Sequence, residues 1–195
     1  MDMFTKLSNK LSTSSRLSRL LVVILIAGVA LAASCTTVYV SARPQYVTVG
    51  PNWSSLYNLS QGRGINVSVS GLRAVYLLGD NIGLYVTSDT TGRVWIITVG
   101  QDDQPELVFP NPESPDNNIM AGIPLAIPPR GSPWRLTAGK PVGNSLLFVL
   151  ITDANITEDD VEAIINAKSG HMTNVIKDTL PRWGSAKEVI NIRYR

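Results

Sequence analysis

The chain has 195 residues, 17 lysines and arginines against 15 aspartates and glutamates, one histidine and one cysteine. A single cysteine excludes an intramolecular disulfide, and one histidine with one cysteine excludes the usual zinc ligand sets. The near-balanced charge leaves no basic footprint for nucleic acid.

Met1 to Arg19 is polar and basic, with Lys6, Lys10, Arg16 and Arg19 against Asp2. Leu20 to Leu31 (LLVVILIAGVAL) is apolar but shorter than the roughly 20 residues a bilayer span needs. A basic stretch, a short apolar run and small residues predict a secretory signal peptide over residues 1–34. Ala32, Ala33 and Ser34 lead directly into Cys35, the shape of a lipobox. Small residues suit an extended chain in a narrow protease cleft, and the Cys35 thiol is the group that takes the lipid. Ala32 stands where leucine is usual, and Leu31 lies one place early. Simple cleavage with Cys35 unmodified, or an uncleaved anchor, would use the same residues. Thr36 follows the cysteine. By resemblance to the sorting rule of enteric bacteria, where aspartate there favours the inner membrane, the outer membrane facing the periplasm is expected.

Taking the four basic residues and one acid of residues 1–34 from the totals leaves 13 against 14, a net charge of −1. The alkaline balance therefore belongs to the signal peptide. The remaining 161 residues (195 less 34) suit one domain.

Residues 35–64 are expected to be the lipidated N-terminus and a tether, and 65–195 the β-rich domain. Within the tether, Val38 and Val40, then Tyr46, Val47 and Val49, could add a strand or two. Ile65, Val67 and Val69 alternate with Asn66, Ser68 and Ser70, the period of a half-buried strand. Arg73 to Leu78 is another strand. Ile82, Leu84 and Val86 alternate with Gly83, Tyr85 and Thr87. Ser88 to Gly92 is a turn in which short polar side chains bond their own backbone and Gly92 can take positive φ. Arg93 to Val99 holds five apolar residues in seven and predicts a strand covered on both faces. Gly100 to Gln104 turns the chain into a short strand, Glu106 to Phe109, which Pro110 ends. Gly79 to Pro128 thus reads as two hairpins in series, a proline-marked loop and a further strand. Trp95, Phe109 and Phe148 are the expected aromatic core.

These residues also carry a resemblance. The turn glycine before VWIITV, then LVFPN (Leu107 to Asn111), AGIPL (Ala121 to Leu125) and IPPRG (Ile127 to Gly131), are similar to a bacterial envelope family known only as domain of unknown function four-three-eight-four. The resemblance covers roughly residues 71–152. Arg93 departs from it, standing where the family often has an aromatic. The family implies a small β-rich envelope domain and supplies no catalytic residues.

Asn111 to Asn118 (NPESPDNN) reads as an exposed loop, Ile119 to Ile127 as an edge strand interrupted by Pro124, and Pro128 to Pro133 as a second stiff loop. Asn144 to Thr152 (NSLLFVLIT) is the best candidate for a central strand. Thr157 to Asp160 resembles a capping box with acids placed to suit a helix N-terminus. Val161, Ile164 and Ile165 then share one helical face. Met172, Val175, Ile176 and Leu180 predict a second helix that Pro181 closes. Ile190, Ile192 and Tyr194 alternate in a last strand.

Candidate chemistry is sparse. His171 follows Gly170 at a helix start, a surface or cap position. The pairs Asp102-Asp103 and Asp159-Asp160 sit where a turn and a helix start want acids. Gly62-x-Gly64 lacks the third glycine of a dinucleotide fingerprint, with Val67 in its place. The better candidates are loops, because a rigid β scaffold leaves its loops free to reach partners. Arg130, Trp134 and Arg135 supply residue types that dominate interface energetics, beside two proline-stiffened loops.

The expected fold is mainly β: a β-sandwich-like domain of antiparallel hairpins with one or two C-terminal α-helices. The expected function is a non-enzymatic envelope lipoprotein, held to the membrane through Cys35. It would serve as a binding or assembly accessory of a secretion or other envelope machine, with an envelope protein as partner and no cofactor or metal. The alternatives are a periplasmic enzyme acting on cell-wall material through acids such as Asp102 and Glu106, and a structural spacer.

Overall fold

The computed structural model describes residues 49–195. The expected signal peptide, Cys35 and the strand residues expected at Val38, Val40, Tyr46 and Val47 lie outside the described residues, and Val49, expected with them, is in no strand.

The longest uninterrupted apolar run becomes the organising strand. β9 (Gly143–Thr152) is buried from Ser145 to Thr152 and pairs antiparallel along its whole length with β10 (Trp183–Arg193). Its other side pairs with β5 (Gly92–Val99). Alternation splits these strands between two cores. Leu147, Val149 and Ile151 of β9, with Val94 and Ile96 of β5, enter one. Leu146, Phe148 and Leu150, with Trp95, Ile97 and Val99, enter the other. Strands covered on both faces need apolar residues at both parities, which is why these two read as continuous runs.

The large sheet runs β1 (Gly62–Arg63), β10, β9, β5, β6 (Pro105–Phe109). β3 (Val75–Leu77) joins β10 in parallel, and β7 (Asn118–Ile119) joins β5. A small antiparallel sheet, β2 (Val67–Ser70), β4 (Leu84–Ser88) and β8 (Leu125–Ile127), encloses the first core with Leu84, Val86 and Ile127. Three helices enclose the second: α1 (Pro51–Tyr57), α2 (Glu158–Ile165) and α3 (Met172–Thr179). The described residues therefore form a mainly β molecule in three layers: small sheet, large sheet, helices. Trp95, Phe109 and Phe148 are all buried, and the Trp95 indole donates to Thr152 Oγ1 at 2.9 Å. The Thr157 capping box is present at the start of α2.

Several local expectations give way. Residues 51–63 are not a tether, because α1 buries Trp53 and Leu56 in the helix-side core and β1 pairs with β10. β4 and β5 are not a hairpin: β4 pairs with β2 and β8, and the chain changes sheets at Ser88 to Gly92. Gly92 has no left-handed φ there. It is needed for close approach, since a Cβ would lie 2.1 Å from the Thr152 carbonyl oxygen. Ile119 to Ile127 is not one strand but β7 and β8, in different sheets. The Asn111 to Asn118 loop is not wholly exposed: Ser114 and Asn117 are buried, and Asn117 Nδ2 donates to the Val94 carbonyl at 3.1 Å.

Candidate functional site

A groove of about 540 Å3 opens on the small-sheet side of the large sheet. Its floor is apolar: Leu147 of β9 and Ile190 and Ile192 of β10, with Leu136 and Ile82 beside them, all buried. Thr98 and Ser145 bring the polar atoms to that floor. One wall carries Asp102, Gln104 and Glu106, then Asn111 to Glu113. The other carries Trp134, Arg135, Thr137 and Lys140. A concave site of this size, with an apolar base and convergent polar groups, has the general form of a ligand site.

The wall at Trp134 is built by a β-bulge. Leu107 pairs with Ile97 but Phe109 pairs with Ile96, so Val108 is the extra residue. A bulge re-aims the side chains beside it, and here Val108 and Phe109 both turn into the small-sheet core. The Phe109 ring then stacks on Trp134, with centroids 5.8 Å apart and planes 18° from parallel. Trp134 is half-buried and fixed by this stack. Arg135 is exposed on the groove rim, donating from Nη1 to the carbonyls of Ser132 (3.2 Å) and Trp134 (3.3 Å).

The groove is charged asymmetrically. Asp102, Glu106 and Glu113 face Arg135 and Lys140, and the ion pairs among the described residues lie elsewhere: Arg73–Asp80, Arg195–Asp80 and Arg182–Asp153. Ser145 is 9% exposed, and its hydroxyl makes no hydrogen bond among the described residues. A shallower depression sharing Asp102, Lys140 and Pro141 adjoins the groove and is lined by the exposed Tyr194.

Of the residues singled out in the sequence, the fold brings Trp134, Arg135, Asp102 and Glu106 into this one groove. Arg130 is exposed and does not line it. Asp103 points away and caps α1, its carboxylate accepting from the backbone N–H of Asn52 (3.0 Å) and Trp53 (2.8 Å). Asp160 is held in the capping box, where hydrogen bonds from Thr157 lower its pKa below the ordinary 3.8. Asp159 is exposed in the same first turn, and His171 is the exposed residue preceding α3. Among the described residues no three His, Cys, Asp or Glu side chains converge as a metal site would require. Sequence reasoning missed Ser145, Thr137, Lys140, Ile190 and Ile192. Ser145 left a signal: it is the polar residue on the otherwise apolar face of β9 that carries Leu147, Val149 and Ile151.

Residues 75–155 match the family described as Domain of unknown function (DUF4384). The chain carries a domain of this family. The DUF4384 segment runs from β3 through β9 and supplies both walls of the groove, while β10, from outside it, supplies Ile190 and Ile192 to the floor. No curated protein matches the chain. Among the described residues no helix is long and apolar enough to cross a membrane.

Proposed function

We propose that the protein is a non-enzymatic lipoprotein of the bacterial envelope, anchored through Cys35 to the outer membrane and facing the periplasm. Its DUF4384 domain would bind a protein partner as an accessory of a secretion or other envelope machine. The observation that carries the binding role is the groove, in which two separate loops, at Asn111 to Glu113 and at Trp134 to Lys140, meet over a buried apolar floor. Loops held by a rigid scaffold are the usual place for recognition, and a wall already fixed by the Phe109–Trp134 stack loses little freedom on binding.

Two experiments test the halves separately. Cys35→Ser should abolish labelling by a fatty-acid probe and leave the precursor unprocessed. Unchanged membrane association and mature size in that variant would overturn the anchor. For the groove, Thr137→Trp places a bulky ring at an exposed lining position. It should abolish co-purification of partners from solubilised envelopes without lowering the melting temperature. Undiminished co-purification would move the binding surface elsewhere.

The enzymatic alternative draws on one observation, that Asp102 and Glu106 line the same groove. Release of soluble fragments from purified cell wall by the protein, lost in Glu106→Gln, would favour it over binding alone.

A further inference from the structure

We propose that the groove takes an extended peptide segment bearing basic side chains, its lysines or arginines directed at the wall of Asp102, Glu106 and Glu113. This rests on the groove being a partner-binding surface. The three acids are spread along the wall rather than gathered at a point: Asp102 precedes β6, Glu106 is in it and Glu113 follows it. β6 alone is five residues, about 15 Å of extended chain. That length suits several cationic groups on an extended chain better than one small amine. Among the described residues the Glu106 and Glu113 carboxylates accept no hydrogen bond, and Asp102 accepts one from the Gln104 N–H at 3.3 Å. They are free to receive charge-assisted bonds.

Two further features point to a ligand. Ser145, 9% exposed, keeps its hydroxyl open to the groove floor, where a ligand group can displace water from it. The Phe109 stack leaves the Trp134 ring in the groove wall, where it can meet a cation face-on. Between them the apolar floor accommodates the methylene stems of lysine or arginine, whose heads reach the carboxylates. A neutral glycan could stack on Trp134 and donate hydroxyls to the acids, but it would leave their three charges unneutralised, which a cationic peptide does not. Arg135 and Lys140, which line the same groove, would receive an acidic side chain or terminal carboxylate and so fix the peptide's direction.

The test uses the full chain in detergent micelles and two fluorescent, end-blocked hexapeptides, alternating lysine–valine and alternating glutamate–valine, with chitotetraose as a glycan probe. The lysine peptide should bind. Raising salt from about 0.05 M to about 0.5 M should weaken it strongly, as the screening length shortens. Joint Glu106→Gln and Glu113→Gln substitution should weaken it about tenfold at an unchanged melting temperature, and Ser145→Ala should weaken it with the salt dependence unaltered. Equal binding of the glutamate peptide, binding of chitotetraose in place of peptide, or wild-type affinity in the double glutamine variant would each overturn the assignment. If no peptide binds while Thr137→Trp still abolishes partner capture, the ligand class is wrong and the binding surface stands. If both fail, the groove is not the surface.

Discussion

Asp103 illustrates how a residue takes its role from chain far away. Its φ of 59° lies in the left-handed region that aspartate tolerates better than most residues. From there its carboxylate reaches the first turn of α1, about fifty positions upstream, and its carbonyl accepts from Asn52 Nδ2 at 2.9 Å. Gly50 permits this approach, since a Cβ there would lie 2.1 Å from Asp103 Cγ. A polar turn with two acids was legible in the sequence, but not which acid would cap a helix and which would line a groove. Asp103→Ala should cost about 1–2 kcal/mol, the upper range for a lost helix cap, and Asp103→Asn less, because asparagine keeps an acceptor and tolerates the backbone. Denaturant melts check this, and equal stability of all three proteins would show that α1 does not depend on the cap. Trp95 is the opposite case, read correctly from its strand. Trp95→Ala should cost about 3–5 kcal/mol, since it removes a 1% exposed ring from the helix-side core and the indole N–H that Thr152 Oγ1 accepts. A loss below about 1 kcal/mol would be incompatible with that burial.

Strands and helices with a strong local pattern came through from sequence: β5, β6, β9, α2 and α3. Pairing did not, because turn chemistry at Ser88 to Gly92 is the same whether the chain folds back or crosses to another sheet. The distinction was nevertheless encoded. β4 buries one parity, with Leu84 and Val86 inside and Tyr85 outside, whereas β5 buries both. α1 was missed because seven residues give too little periodicity, though Pro51 at its start is a recognised opening signal. Element ends also set the pH response. Backbone and side-chain hydrogen bonds from Asn66 and Thr157 lower the pKa of Asp89 and Asp160, and the Leu77 N–H foremost lowers that of Asp80. A carboxylate with a depressed folded pKa contributes stability that is complete above its unfolded value, here 3.8, and lost as pH falls through the folded value. The melting temperature should therefore drop below about pH 4, and Asp89→Asn with Asp160→Asn should flatten that drop. An identical acid limb in the double variant would place the sensitivity elsewhere.

For the molecule as a whole, layering decides where a site can form. Helices cover one face of the large sheet and the small sheet encloses the core on the other. The groove opens on that second side, where the loops after β6 and β8 face each other across strands β9 and β10. The loops were legible as proline-rich, though Pro128 to Pro133 does not line the groove. The floor was not, because Ile190 and Ile192 join it from the last strand and a half-buried alternating strand says nothing about its neighbours. Trp134 was read as an anchor for partners, and it stands in the groove wall braced by Phe109. The most direct measurement places a photo-crosslinking residue at Thr137, inside the groove, and in a second protein at Glu162, exposed on the helix face. Irradiation of intact cells should give a discrete higher-mass adduct from position 137 that Glu106→Gln with Glu113→Gln diminishes, and none from position 162. Adducts from 162 alone, or from neither position, would contradict a binding groove.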